Sequence, residues 1–211
     1  MSREVAEIRD MGEYVGALPL PVFERVSSGV CYPHPSLTDA YIEGCTEPWI
    51  VQTVCALLAA AGGRTVLELG AFIGVTSAWL ALTLQKMGGG TLRVVEIEPD
   101  RVAACHARLS AVPIPDVKWH VLHNDVFQAI AALPSESVDF VWLDDNHEHA
   151  HVDFELGALL PKMRPGGIIT GHDVCGKFDL RREFVKHGGY ALDLPRLAAA
   201  GGLGIIQTGG N

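Results

Sequence analysis

A chain of 211 residues, 48% apolar and 19% charged, suits one globular domain around one core. A formal net charge of −9 repels phosphate backbones and argues against a nucleic-acid partner. The N-terminus lacks the basic and apolar runs of a signal peptide, and no apolar stretch is long enough for a membrane span, so a cytoplasmic protein with no membrane contact is expected.

Residues 1–45 are punctuated by Pro19, Pro21, Pro33 and Pro35 and read as a cap or lid. Residues 46–211 read as the main domain. Thr46 is placed to cap a helix that has Pro48 in its first turn and stops at Gly62-Gly63. Thr65–Leu69 reads as a buried strand and Val75–Met87 as a helix closed by three glycines. The alternation continues with strand Leu92–Ile97, helix Pro99–Ser110, strand Val117–Leu122 and helix Val126–Leu133. Strand Val138–Leu143, helix His151–Met163, strand Gly167–Thr170 and helix Lys177–His187 follow. Strands Tyr190–Leu194 and Leu203–Gln207 close the chain. Five strand–helix alternations require crossover connections and hence a parallel sheet. Ligands of such sheets bind beyond the carboxyl ends of the strands.

The first strand runs into Glu68-Leu69-Gly70-Ala71-Phe72-Ile73-Gly74. Gly70 permits a tight turn and close approach of a ligand to the backbone, and Gly74 permits close packing where the next helix begins. A pyrophosphate cradle needs Gly-x-Gly-x-x-Gly. This turn has Gly-x-x-x-Gly, which suits a carboxylate and an ammonium group better than two phosphates. Glu68 is placed to support the turn and attract the ammonium, and Thr76 to hydrogen-bond the carboxylate. Glu96, ending the second strand, can accept from both ribose hydroxyls, with Ile97 against an adenine face. Asn124-Asp125 ends the third strand, where an acid can accept from the adenine amine.

Val66–Gly74 resembles motif I of class I S-adenosylmethionine (SAM)-dependent methyltransferases, especially its catechol O-methyltransferase version. Val95–Asp100 resembles the second-strand motif of that family, Asn124-Asp125 its Gly-Asp adenine contact, and Leu160–Gly167 its LPxLRPGG turn. The resemblance implies a Rossmann-like α/β fold with a seven-stranded, mostly parallel sheet, helices on both faces and the last strand antiparallel. It also implies SAM as cofactor, held by Glu68, Gly70, Phe72, Gly74, Thr76, Glu96, Ile97, Asn124, Asp125 and Asp144.

The fourth and fifth strands end in Asp144-Asp145-Asn146-His147 and His172-Asp173. The family resemblance implies a divalent metal on Asp144, His172 and Asp173. His172 replaces an acid of the catechol enzymes, and an imidazole suits iron, zinc or manganese better than magnesium. Metal use, and the choice among Mg, Mn and Fe, therefore stay open. Three residues past Asp144, His147 occupies the general-base position of the catechol enzymes, and Asp144 and His147 are the expected catalytic pair. His147, His149 and His151 form a His-x-His-x-His run, although alternate residues at a helix start need not converge.

The expected activity is O-methylation of a small-molecule hydroxyl, with metal-free N-methyl transfer and a catalytically silent SAM-binding module as alternatives. Tyr14, Phe23, Tyr32, His34 and Tyr41 are the candidates for the acceptor pocket. The family resemblance also implies a homodimer. The five cysteines, Cys31, Cys45, Cys55, Cys105 and Cys175, have no metal-site spacing and read as reduced thiols.

Overall fold

The computed structural model describes residues 24–25, 31–32, 46, 48–193 and 201–209. Two short antiparallel strands, β1 (Glu24–Arg25) and β2 (Cys31–Tyr32), are the described part of the segment expected as a cap. The acceptor-pocket candidates of residues 1–45 lie outside the described side chains.

Helix α1 (Pro48–Ala61) starts on its proline, whose missing N–H falls where a helix has no internal acceptor for it. It presents Ile50, Val54, Cys55 and Leu58 to the core. Strand β3 (Thr65–Leu69) leads into α2 (Val75–Lys86), then β4 (Gly90–Glu96) and α3 (Pro99–Ala111). β5 (Val117–His123), the short α4 (Val126–Ala131), β6 (Val138–Leu143) and α5 (His149–Leu159) follow. A 3₁₀ turn leads into β7 (Met163–His172), α6 (Arg181–Lys186), β8 (Tyr190–Leu192) and β9 (Leu203–Gln207).

The seven long strands form one sheet in the order β5-β4-β3-β6-β7-β9-β8. Pairings from β5 to β7 are parallel, while β9 runs antiparallel to both β7 and β8. Alternate residues of each strand serve two separate cores, one per face. Val66, Val94, Phe140 and Trp142 pack with α1, α2 and α3. Leu67, Val95, Val141 and Leu143 pack with α4, α5 and α6. The expected Rossmann-like sheet with an antiparallel last strand is what the chain forms.

Three local differences from the sequence reading have physical causes. β7 starts at Met163, yet its pairing with β6 jumps from Val138–Met163 to Phe140–Ile168, so Arg164–Gly167 bulges out of the ladder. Gly166, at φ 81°, makes that bulge. Helix α6 begins four residues late because Gly176 and Asp179 both take left-handed backbone conformations. α5 begins two residues early, at His149, and gives way to the 3₁₀ turn after Leu159.

Cys55, Cys105 and Cys175 are buried and unbridged. Burial pushes the thiols of Cys55 and Cys105 up to about 12, which keeps them protonated and unreactive. Among the described residues, no helix is long and apolar enough to cross a membrane.

Candidate active site

β3 and β6 are neighbours in the sheet, and their carboxyl ends nearly touch. The Asp144 amide donates to the Leu69 carbonyl at 2.9 Å. Gly70 sits in that contact at φ +79°, where a Cβ would come within 2.4 Å of the Asp144 carbonyl oxygen and 2.5 Å of the Asp145 Cα. Only a residue without a side chain satisfies both constraints. At Gly74 a Cβ would meet the Cys105 backbone at 2.8 Å, so this glycine sets the approach of α2 to α3.

Phe72, between them, is held at φ 50°, an uncommon conformation for an aromatic residue. Its amide donates to Glu96 Oε2 at 2.8 Å. The other oxygen of Glu96 accepts from the amides of Ile97 and Glu98, both at 3.0 Å. Three backbone donors from two loops thus fix one carboxylate at the floor of a cavity of about 450 Å³. Gly70, Phe72, Glu96, Ile97 and Asp125 line one side of this cavity, and Asp144, Asp145, His147 and His151 another. Ile97 is largely exposed at the cavity, and the Arg101 guanidinium lies 5.0 Å above the Phe72 ring.

Asp125 caps α4 through Oδ1, which accepts from the amides of Phe127 and Gln128 at 2.9 and 3.2 Å. Asn124 folds its side-chain oxygen onto the Asp125 amide and does not border the cavity. Glu68 also lies away from the cavity lining. It is wholly buried on the α2–α3 face, and neither carboxylate oxygen has a hydrogen-bond partner. Burial pushes its carboxyl up to about 8, with the nearby charges of Asp144 and Glu96 adding to the shift and Ser77 opposing it. Glu68 therefore sits beneath the loop, away from the cavity lining.

Thr46, read as a helix cap, does something else. Its hydroxyl donates to Asp144 Oδ2 at 2.7 Å and accepts from the Thr76 hydroxyl at 3.3 Å. Thr46, Thr76 and Asp144 border a small recess of about 30 Å³ beside Gly70. The Thr46–Asp144 bond spans 98 positions, and only the packing of the start of α1 over the sheet end reveals it.

The opposite end of the cavity gathers acids and imidazoles. His147 Nε2 lies 3.2 Å from Asp173 Oδ2 and 3.8 Å from Asp144 Oδ1. His172 Nδ1 lies 3.4 Å from Asp144 and 3.6 Å from Asp173. Donor atoms of Asp144, His147 and Asp173 fall within 4.8 Å of one another and could hold a metal ion. This group takes His147 where the sequence reading took His172. Burial alone would raise the Asp173 carboxyl. The hydrogen bond from His147 and the charges of His172, His147 and Lys177 outweigh burial and hold it below the usual carboxylate range. Asp173 itself adopts φ 54°, a left-handed backbone like that of Phe72. The His147 ring stacks on Phe178, with centroids 4.4 Å apart, and Lys177 lies over the outer face of Phe178.

The three alternate histidines diverge. His147 faces Asp144 and Asp173, His149 faces Glu183 at 3.0 Å, and His151 faces Asp145 at 3.0 Å. They do not make one metal tract.

A family model described as a methyltransferase domain matches residues 67–174, just over half of the chain. The chain belongs to the methyltransferase domain family. A protein of Mycolicibacterium vanbaalenii named as an O-methyltransferase is 26% identical over 130 residues, covering 61% of this chain and 55% of its own length. The chain spans about half the length of the curated relatives it matches. Among solved structures, the Bacillus cereus O-methyltransferase in complex with SAH is similar, with a TM-score of 0.65 and 19% identity over 79% of this chain and 84% of that one. An O-methyltransferase from Streptomyces achromogenes in complex with SAM has a TM-score of 0.62 and 18% identity, over 79% and 82% of the two chains. These likenesses establish the Rossmann-like methyltransferase fold. The matched span of this methyltransferase domain holds every residue from Glu68 to Asp173 described above, with Thr46 and Phe178 outside it.

Proposed function

We propose that this methyltransferase domain binds SAM in the 450 Å³ cavity and transfers its methyl group to a hydroxyl of a small-molecule acceptor. The observation that carries the reading is the two-ended site. At one end Glu96 is fixed by three amides. At the other His147 stands between two carboxylates.

Glu96 keeps one unused lone-pair site, on Oε2, for a ribose hydroxyl, and its three amides prevent it from swinging away. Ile97 offers apolar surface to the adenine, and Asp125 Oδ2, unused by the helix cap, can accept from the adenine amine. Thr76, whose bond to Thr46 is long at 3.3 Å, can turn its hydroxyl to the methionine carboxylate, while Thr46 stays on Asp144. Bound there, SAM supplies a sulfonium methyl as electrophile. Holding acceptor and methyl in line accounts for much of the rate, since orientation alone can contribute several kcal/mol.

His147 is placed to take the acceptor's proton, with Asp173 stabilising the resulting imidazolium and Phe178 holding the ring. Asp144, His147 and Asp173 also suit a divalent cation by donor type, and such an ion would favour the deprotonated acceptor. An ion on Nε2 would displace the proton that Nε2 shares with Asp173, so the metal and the His147–Asp173 hydrogen bond exclude each other.

Radiolabelled SAM incubated with a panel of hydroxylated and amine acceptors, with and without EDTA, tests the reading. Label in a hydroxylated product is expected. SAM binding with no transfer to any acceptor would leave a silent binding module, and label on amines alone would make the domain an N-methyltransferase. Loss of turnover in EDTA, with SAM binding retained, assigns the acid cluster to a metal. Full turnover in EDTA assigns His147 the role of base without one.

A further inference from the structure

A second group of ligating side chains lies behind the first. Adjacent residues at a strand end point to opposite sides, so Asp145 turns away from the Asp144 cluster toward α5. There His151 and Glu155, four positions apart on the helix, share one face. His151 Nε2 lies 3.0 Å from Asp145 Oδ2 and 3.5 Å from Glu155 Oε1. The donor atoms of all three fall within 4.8 Å of one another. Donors this close can share one ion at about 2.0–2.4 Å from each.

Glu155 separates this group from an ordinary surface cluster. Its side chain is completely buried, and neither oxygen has a hydrogen-bond partner. Both oxygens therefore lack the compensation that a buried carboxylate requires. Phe127 packs against the His151 ring at 4.5 Å and fixes its position. Asp145 and His151 border the large cavity, which gives a solute a route to the group.

We propose that Asp145, His151 and Glu155 form a second divalent-cation site, separate from the Asp144 cluster and suited to a first-row transition ion. Two carboxylates and an imidazole favour Mn²⁺, Fe²⁺ or Zn²⁺ over an all-oxygen cation such as Ca²⁺. Three protein ligands leave coordination positions for water on the cavity side. The site depends on no methyl-transfer step, so it stands or falls apart from the proposed activity.

Mn²⁺ titrated into the full chain, with the free ion followed by electron paramagnetic resonance, counts the ions bound. The Asp144→Asn/Asp173→Asn double variant, in which the first cluster is disabled, is expected to keep one bound Mn²⁺. Adding Glu155→Gln should remove it or weaken it more than tenfold. His151→Asn in the same background is a second probe, should the glutamine variant not fold. Near-ultraviolet circular dichroism reports the fold in each case. A double variant that binds no Mn²⁺ overturns the proposal. So does an ion that survives both Glu155→Gln and His151→Asn in folded protein.

Discussion

Glu96 and Glu68 show how differently one residue type behaves in two settings: one carboxylate has three amide donors, the other has none. Replacing Glu96 by alanine should weaken SAM binding at least tenfold by calorimetry, since hydrogen bonds to a charged group contribute about 1.5–3 kcal/mol. Unchanged affinity in folded protein would remove Glu96 from the cofactor site. Glu68 gives a stability prediction with a definite sign. Its carboxyl is raised in the folded chain to about 8, so between the ordinary carboxylate range and pH 8 the folded state binds more protons than the unfolded one. Stability must therefore fall as pH rises through that window. Glu68→Gln should flatten the fall in melting temperature between pH 5 and pH 9, and an unaltered pH profile would contradict the assignment. The sequence made Glu96 legible because it ends a strand beside the glycine turn. It could not place Glu68, because the face on which a strand residue is buried depends on packing that α2 and α3 supply. Thr46 was equally hidden, its partner being 98 positions away.

Among the elements, the strands were easiest to read. β3, β6 and β9 have the bounds expected from their apolar runs, because central strands covered on both faces admit few polar residues. α6 and the start of β7 were not legible, since their limits follow from left-handed backbone at Gly176, Asp179 and Gly166. The opposite end of the sheet supplies a test of how elements are tied together. Asp139 in β6 accepts from the amides of Arg64 and Thr65 at 2.9 and 2.7 Å and from Arg164 at 2.7 Å, joining the entry to β3, β6 and the β7 bulge. Burial would raise its carboxyl, but the bonds from Arg164, Arg64 and Thr65 outweigh burial and hold it below the ordinary value. Its stabilisation is present above the unfolded carboxylate pKa of about 4 and is lost as pH falls through the lower folded value. Asp139→Ala should cost about 2–3 kcal/mol at neutral pH by denaturant unfolding, and the gap from wild type should narrow as the pH falls below the ordinary carboxylate range. A gap independent of pH would assign the loss to packing. Gly70→Ala should be the more damaging change, because the new Cβ meets the backbone of Asp144 and Asp145, just beyond β6, and not the far end of a movable side chain. Little folded protein is expected, and a folded variant with normal SAM affinity would refute the contact.

For the whole molecule, a chain with net charge −9 places five acids together where its strands end. Asp144, Asp145, Asp173, Glu96 and Asp125 all lie at the carboxyl edge of the sheet. The fold made that concentration readable from sequence, since strand order brings β4, β3, β6 and β7 side by side. What the alternation could not provide was the pairing of individual groups, such as His147 with Asp173 in place of an undivided histidine tract. On the proposed function a cationic sulfonium would be attracted to this edge, and salt should weaken the attraction. Raising ionic strength is therefore expected to reduce SAM affinity more than SAH affinity, and equal salt dependence for the two would show that the acids do not sense the sulfur.

The rigid carboxylate of Glu96 also bears on how the enzyme would finish a cycle. Ribose and adenine are the same before and after methyl transfer, so on the proposed function three amides that immobilise Glu96 would hold spent and fresh nucleoside equally. The lost methyl group and its positive charge distinguish the two, and Glu96 is not the group that would sense either. The demethylated product should consequently linger, making its departure slow and its inhibition strong. Loosening the grip at Glu96 would weaken substrate capture and relieve product inhibition by the same factor.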